Sequence, residues 1–150
     1  MKKTAVVTIV SNNYLHYART LMQSVAREHP DAARFCVIVD TDMAPAAKLA
    51  DEFEALPLSA LNLPFGDEFT FQYTILELNT AVKPWALEHL LDRGYSEVLY
   101  IDPDIELYRP LDEVSAHLLG GASIVLTPHL LAPYDDDRNP TERTIRIAGT

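Results

Sequence analysis

The sequence has little cysteine, little glycine and little positive charge. Its one cysteine, Cys36, lies within a predicted strand and excludes a disulfide framework, so we expect a core role for it and a cytoplasmic setting. Lysine and arginine number 12 against 22 aspartates and glutamates, which gives a net charge of -10. That charge disfavours binding to nucleic acid, because the phosphates of a nucleic acid would be repelled.

The sequence also lacks a long hydrophobic run. No apolar stretch approaches the roughly 18 residues that a membrane-spanning helix needs, so we expect no transmembrane segment. The first apolar stretch, residues 4–10, is too short for a secretory signal and is typical of a strand. A length of 150 residues with 48% hydrophobic content predicts one globular domain over residues 1–150.

Continuously apolar runs alternate along the chain with segments of helical periodicity. Strands are predicted at residues 4–10, 35–39, 98–101 and 123–127, with a short extended piece at 56–58. Helices are predicted at residues 14–27, 44–54, 69–78, 80–92 and 111–119. Strands that are apolar on both faces and alternate with helices indicate an α/β fold, with a mostly parallel sheet covered by helices on both faces.

The helix predicted at residues 80–92 has recognisable end signals. Asn79 or Thr80 is expected to cap it, with Pro84 in or near its first turn and Gly94 just past its end.

The chain stops at Thr150 without a closing element after only about four clear strands, so we expect it to be a fragment of a longer protein.

An aspartate pair, Asp102 and Asp104, follows the apolar strand at residues 98–101. If the chain stays extended, alternation places both carboxylates on one side. Two hard oxygen ligands there would hold Mg²⁺ or Mn²⁺ and leave coordination positions open for substrate phosphates. The same spacing at residues 135–137 lies in a polar, proline-flanked stretch that we interpret as a solvated loop. The sequence therefore predicts a metal or phosphate site at Asp102 and Asp104.

Polar residues also follow the first two predicted strands. Ser11, Asn12 and Tyr14 follow the first, and Asp40 follows the second. Ligands of parallel α/β sheets gather beyond the carboxyl ends of the strands, where a nucleotide would meet all of these residues. Ser11, Asn12 and Tyr14 could recognise a base and ribose, or Ser11 or Asn12 could simply cap the next helix. No glycine-rich phosphate fingerprint and no Walker lysine loop follows the first strand, which argues against a dinucleotide dehydrogenase.

Lys83 lies near the start of the predicted helix at residues 80–92. Unpaired backbone amides and the positive end of the helix dipole favour an anion there, and an ammonium group would add a direct phosphate contact. The alternative is a solvated surface lysine. Together with Asp102 and Asp104, Lys83 favours a phosphate site.

Three segments together resemble the nucleotide-sugar-dependent glycosyltransferases of the A fold, within them the glycogenin-like and bacterial galactosyltransferase-like group. They are Thr8–Tyr14, Thr80–Trp85, and Val98–Ile105 followed by Pro110 and Leu111. The resemblance implies a Rossmann-like GT-A nucleotide-sugar-binding fold. It also implies roles: a base and ribose pocket, a contact to the diphosphate or donor sugar, and a metal-binding pair. The base and ribose pocket would be lined by Ile9, Ser11, Asn12 and Tyr14, with Asp40 nearby. The contact to the diphosphate or donor sugar would come from Lys83, and the metal-binding pair would be Asp102 and Asp104.

By this resemblance the chain is the donor-binding part of a metal-dependent glycosyltransferase that uses Mn²⁺ or Mg²⁺. It would transfer a sugar from a nucleotide-diphosphate sugar, with a UDP-sugar favoured, to a saccharide, lipid or protein acceptor that the sequence does not identify. Two alternatives stay open. One is a phosphohydrolase of the haloacid dehalogenase type, which also ends a strand in Asp-x-Asp, although on its first strand. The other is a sugar-nucleotide-binding domain without catalysis.

Overall fold

The computed structural model of the protein describes residues 3–64 and 67–128. The chain divides into two compact units, residues 1–110 and residues 111–150, and each is described by itself. The interpretation of residues 1–150 as one nucleotide-sugar-binding domain stays a prediction. The solvated loop expected at residues 135–137 lies outside the described residues.

The first unit is built on a four-stranded sheet in which every pairing is parallel. Its strands are β1 (Thr4–Val10), β2 (Ala33–Ile38), β3 (Glu54–Pro57) and β4 (Glu97–Tyr100), in the order β3-β2-β1-β4. In the register, Val7 of β1 lies opposite Phe35 of β2 and Tyr100 of β4. The predicted α/β class and parallel sheet are confirmed.

Six α-helices lie in the described residues. They are α1 (Leu15–Glu28), α2 (Ala44–Ala47), α3 (Asp67–Phe71), α4 (Ile75–Ala81), α5 (Lys83–Asp92) and α6 (Asp112–Leu119). Short 3-10 helices precede α1 at Asn12–Tyr14 and follow β3 at Leu58–Ala60. Across this described part of the chain, no helix has both the length and the apolar character needed to cross a membrane.

The sheet is covered on both faces. The odd-numbered side chains of β1 share a core cluster with residues of α4 and α5, among them Val7, Ile9, Leu78, Ala86 and Leu90. The even-numbered Val6 and Val10 are equally buried, as are the apolar residues of α1, which contacts β1 and β2. Because neighbours along a strand point to opposite faces, α1 covers the face opposite α4 and α5. Burial on both faces explains why β1 and β2 are continuously apolar.

The strand order places a topological switch point at β1. From β1 the chain passes through α1 to β2 on one side, whereas α5 leads into β4 on the other side. This is the arrangement of a Rossmann-like half-sheet. In such sheets the two connections leave a crevice between the carboxyl ends of the strands that flank the switch, here β1 and β4.

The helix predicted over residues 44–54 is correct at its start but much too long. Helix α2 ends at Ala47, turns follow to residue 52, and the chain then extends as β3. Leu56 of β3 pairs with Val37 of β2 and is 5% exposed. Sheet pairing and burial of Leu56 therefore outweigh the helical propensity of the alanine-rich stretch.

The helices predicted at residues 69–78 and 80–92 have different boundaries in the structure. The helical conformation is interrupted at residues 72–74, and Thr74 caps α4 in a capping box with Glu77. The Glu77 N–H donates to Thr74 Oγ1 at 3.4 Å, and the Thr74 N–H donates to Glu77 Oε2 at 2.9 Å. The expected caps, Asn79 and Thr80, are instead interior residues of α4.

Helix α5 has the proline near its start and the glycine after its end that the sequence predicted. Pro84 lies in its first turn, where the absent N–H of proline costs no helical hydrogen bond. Gly94 follows the helix with a φ of 87°, a left-handed conformation that favours glycine. These two predictions are confirmed.

The second unit contributes α6 and an irregular segment to the described residues. Helix α6 is followed by Gly121 with a φ of 100°, but the strand predicted at residues 123–127 is wrong. Ile124 is 74% and Leu126 82% exposed, and no strand partner pairs with this segment within the described ranges. A strand needs such a neighbour to satisfy its backbone, so apolar character alone does not produce one.

Candidate functional site

The loops that follow β1 and β2 are tied together at the carboxyl edge of the sheet. The backbone N–H of Asn12 donates to Asp40 Oδ2. The side-chain amide of Asn12 donates to the backbone carbonyl of Asp42 at 2.9 Å, and Asp42 Oδ1 in turn accepts from the Ala44 N–H at 2.9 Å. The structure thus brings together Asn12 and Asp40, which the sequence placed on two separate loops.

Ser11 and Tyr14 frame the same loop. The Ser11 hydroxyl donates to Asn13 Oδ1 at 2.6 Å and accepts no hydrogen bond from the next helical turn. The alternative that the Ser11 side chain caps the helix is therefore wrong. The Tyr14 ring is 47% exposed and lies 5.4 Å from the ring of Tyr17. An exposed aromatic face is therefore present beside the polar end of β1.

Ile9 lies beneath this edge and not on it. Its side chain is 2% exposed and belongs to the core cluster beside Val7 and Val37. Ile9 is therefore a core residue of β1, two positions before Ser11. A direct part for Ile9 in a base pocket stays a prediction.

Lys83, Tyr100 and Asp102 meet on the other side of the crevice. Lys83 is the first residue of α5, and Tyr100 is the last of β4. The Tyr100 hydroxyl donates to Asp102 Oδ1 at 2.7 Å, and the Lys83 ammonium donates to the same oxygen at 3.3 Å. The Lys83 nitrogen also lies 4.4 Å from the centroid of the Tyr100 ring, within cation–π distance. The predicted pairing of Lys83 with the acidic motif is therefore a direct contact.

Both aspartates of the motif act electrostatically on Tyr100. Burial raises the pKa of the Tyr100 phenol above its ordinary value, and the hydrogen bond to Asp102 and the charges of Asp102 and Asp104 raise it further. The phenol is consequently a neutral hydrogen-bond donor throughout the physiological range.

The geometry of the aspartate motif differs from the extended chain that the sequence suggested. Strand β4 ends at Tyr100, and residues 102–105 form a turn in which the Ile105 N–H donates to the Asp102 carbonyl at 3.2 Å. Pro103 occupies the second position of that turn, which its fixed φ favours. The prediction that Asp102 and Asp104 alternate along an extended chain is therefore wrong for this segment.

The segment after the turn is fastened to α1. The Leu107 N–H donates to Ser24 Oγ at 3.0 Å, and the Arg27 guanidinium donates to the Leu107 carbonyl. Leu107 itself is 7% exposed. The aspartate turn is thus held at one end by β4 and at the other by α1.

Few of the described protein groups at the carboxyl ends of the strands could act as ligands for Mg²⁺ or Mn²⁺. Within the described ranges no group of three or more His, Cys, Asp or Glu residues is suited to hold a metal ion. Mg²⁺ is commonly held by one or two carboxylates, with waters and substrate phosphates completing its shell. The Asp102 side chain is 55% exposed. The two hard oxygen ligands of Asp102 and Asp104 fit that mode of binding.

Tyr100 is the site residue that sequence reasoning missed. It lies two residues before Asp102, and side chains two apart at the end of a strand leave the same side. That spacing was a usable signal, because a phenol is a hydrogen-bond donor beside a carboxylate.

The fold and the site define an α/β protein with a Rossmann-like parallel sheet and a polar, two-carboxylate site at its switch point. No protein-family model and no curated protein matches the chain. Among solved structures, TarS of S. aureus is similar, at 16% sequence identity and a TM-score of 0.44. The match covers 79% of this chain and 19% of TarS, so the chain spans about a fifth of the length of that protein.

Proposed function

We propose that the chain is the donor-binding part of a metal-dependent glycosyltransferase that uses a nucleotide-diphosphate sugar, with a UDP-sugar favoured. The observation that carries the proposal is the contact of Lys83 and Tyr100 with Asp102 at the switch crevice. A basic group, a neutral donor and two carboxylates at one edge suit a metal-bound diphosphate. The resemblance of the three sequence segments to this class of enzyme points the same way.

The nucleoside would lie over the joined loops after β1 and β2. Asn12 donates there to the Asp40 carboxylate through its backbone N–H and to the Asp42 carbonyl through its side chain, so the two loops are tied together before a ligand arrives. The half-exposed ring of Tyr14 offers a face for stacking on a base. Preorganised polar groups beside an aromatic face are what a base and ribose require.

The diphosphate would lie at the start of α5. Lys83 is 31% exposed and stands at the amino end of a ten-residue helix, where the backbone dipole adds to its positive charge. In a chain with a net charge of -10, such local positive charge is needed to hold a polyanion. A bound divalent metal would supply Lewis-acid stabilisation of the charge that develops on the diphosphate as the sugar departs.

The remaining chemistry assigned to the chain is positioning. Asp102 and Asp104 would supply the protein oxygens of the metal site, and Lys83 would donate to a phosphate oxygen. Hydrogen bonds from Tyr100 and Lys83 hold the Asp102 carboxylate, and the chain after the turn is fastened to α1 at Leu107. Fixed donors and charges of this kind stabilise a transition state because they do not reorganise during the reaction.

Isothermal titration of UDP, with and without Mn²⁺, tests this proposal. We expect Mn²⁺ to tighten UDP binding, and we expect Asp104→Ala to abolish that gain. Asp31→Ala is the matched control, because Asp31 is an exposed aspartate in the turn before β2, at the opposite edge of the sheet. UDP affinity that is indifferent to Mn²⁺, or equal in wild type and Asp104→Ala, would contradict the proposal. Metal-dependent release of phosphate from a simple phosphoester would favour the phosphohydrolase instead.

A further inference from the structure

We propose that Tyr100 is a positioning residue that orders the acidic and the basic arm of this site together. The inference rests on the proposed function, since it concerns how the chain prepares Asp102 for a metal and Lys83 for a diphosphate. Its physical basis is that one side chain contacts both groups through different parts, the hydroxyl and the ring.

The hydroxyl of Tyr100 determines which carboxylate oxygen of Asp102 accepts hydrogen bonds from the protein. Both the Tyr100 hydroxyl, at 2.7 Å, and the Lys83 ammonium, at 3.3 Å, donate to Oδ1. Within the described part of the chain, Asp102 Oδ2 accepts no hydrogen bond. A carboxylate held through one oxygen has a fixed orientation and keeps the other oxygen available to a cation. Partners of this kind hold ligand carboxylates in many metal sites.

The ring of Tyr100 restrains Lys83. The ammonium lies 4.4 Å from the ring centroid, so the ring attracts the charge in addition to the contact with Asp102. A lysine has a flexible four-carbon stem, and two contacts limit its freedom more than one. Lys83 is therefore kept near the edge when it is not bound to an anion.

Tyr100 is itself rigidly placed. It pairs with Val7 in the β1–β4 register and packs against the core cluster on the face that α5 covers. The second tyrosine–carboxylate pair of the segment differs in this respect. The Tyr108 hydroxyl donates to Glu106 Oε2 at 3.0 Å, also across two residues, but Tyr108 is 80% exposed. The same local contact thus exists once on a fixed strand side chain and once on a solvated one.

Tyr100→Phe tests the hydroxyl, and Tyr108→Phe is its matched control. Mn²⁺ affinity is measured without nucleotide, from the electron paramagnetic resonance signal of free Mn²⁺, together with the thermal unfolding midpoint. We expect Tyr100→Phe to bind Mn²⁺ roughly tenfold more weakly, as loss of such a supporting hydrogen bond usually does. Tyr108→Phe should equal wild type.

A cycle with Asp102→Asn separates positioning from packing. If the hydroxyl acts through Asp102, Tyr100→Phe adds no further loss of Mn²⁺ affinity in the Asp102→Asn background. Tyr100→Leu, which also removes the ring, should in addition weaken the Mn²⁺-dependent binding of UDP more than Tyr100→Phe does. That extra loss reports the restraint on Lys83.

The outcomes distinguish this inference from the proposed function. If Asp104→Ala loses Mn²⁺ binding while Tyr100→Phe binds Mn²⁺ like wild type, the positioning role is overturned and the metal site stands. An equal loss from Tyr100→Phe in wild-type and Asp102→Asn backgrounds overturns it as well, because the effect is then one of packing. If Asp104→Ala and Asp102→Asn leave Mn²⁺ binding unchanged, the proposed function fails first.

Discussion

Replacing Lys83 with glutamine should strengthen the binding of Mn²⁺ and weaken the binding of UDP. In the structure the Lys83 ammonium lies 3.3 Å from the Asp102 oxygen that it shares with Tyr100. A metal ion bound through the other oxygen of Asp102, Oδ2, would be in electrostatic competition with this positive charge, whereas a diphosphate would gain from it. Lys83→Gln removes the competing charge and the phosphate donor in one change, while glutamine keeps a polar side chain of similar reach.

The geometry gives the size of each effect. The Lys83 and Asp102 side chains are 31% and 55% exposed, so their ion pair belongs to the solvent-screened class, which contributes at most about 1 kcal/mol. Its loss should tighten Mn²⁺ binding by no more than about fivefold. A hydrogen bond from an ammonium to a diphosphate contributes roughly 1.5–3 kcal/mol. Its loss should weaken UDP binding, at saturating Mn²⁺, by roughly ten- to hundredfold.

Isothermal titration of Mn²⁺ alone, and of UDP at saturating Mn²⁺, measures the two effects separately. Lys48→Gln makes the same charge change at an exposed position just after α2 and should leave both affinities near wild type. UDP affinity equal in Lys83→Gln and Lys48→Gln would refute the assignment of Lys83 to the diphosphate. Weaker Mn²⁺ binding in Lys83→Gln would refute the competition, because it would show that Lys83 supports the metal site and does not oppose it.

Two predictions concern stability and are read from chemical denaturation. Leu90→Ala should lower the free energy of unfolding by about 2–5 kcal/mol, because Leu90 is fully buried against the sheet. Leu91→Ala, at a residue that is 51% exposed, should lower it far less, and equal losses would contradict the placement of α5. Thr74→Ala should lower the free energy of unfolding by about 1 kcal/mol, because Thr74 caps α4, whereas Thr80→Ala should leave it nearly unchanged. The reverse result would support the helix start that the sequence predicted.

Much of the sheet could be predicted from the sequence, because β1, β2 and β4 are continuously apolar or nearly so. Strand β3 was indicated only as a short extended piece at residues 56–58, because it is four residues long and its pairing with β2 depends on tertiary contact. The start of α4 was within reach. Thr74 and Glu77 have the spacing of a capping box, a more specific local signal than Asn79 or Thr80 alone.

The candidate site was predictable in its members more than in its geometry. Polar residues at strand ends indicated that Asn12 would lie near Asp40, and the structure joins them by a hydrogen bond. The position of Lys83 beside Asp102 depends on how α5 packs on β4, which periodicity does not reveal. The turn at Asp102 was signalled by Pro103, whose preference for the second turn position argued against an extended chain.

The parallel sheet also separates the two ends of the first unit as places to attach a probe. The turn after α5, at residues 93–96, leads into the amino end of β4, and a strand the length of β1 puts roughly 20 Å between the two edges. Cys36, the one cysteine in the sequence, is buried, and burial raises the pKa of its thiol. An Asp92→Cys variant would therefore carry a single reactive thiol on an exposed residue. A surface-immobilised or dye-labelled protein made this way would present its strand carboxyl ends to the titrant.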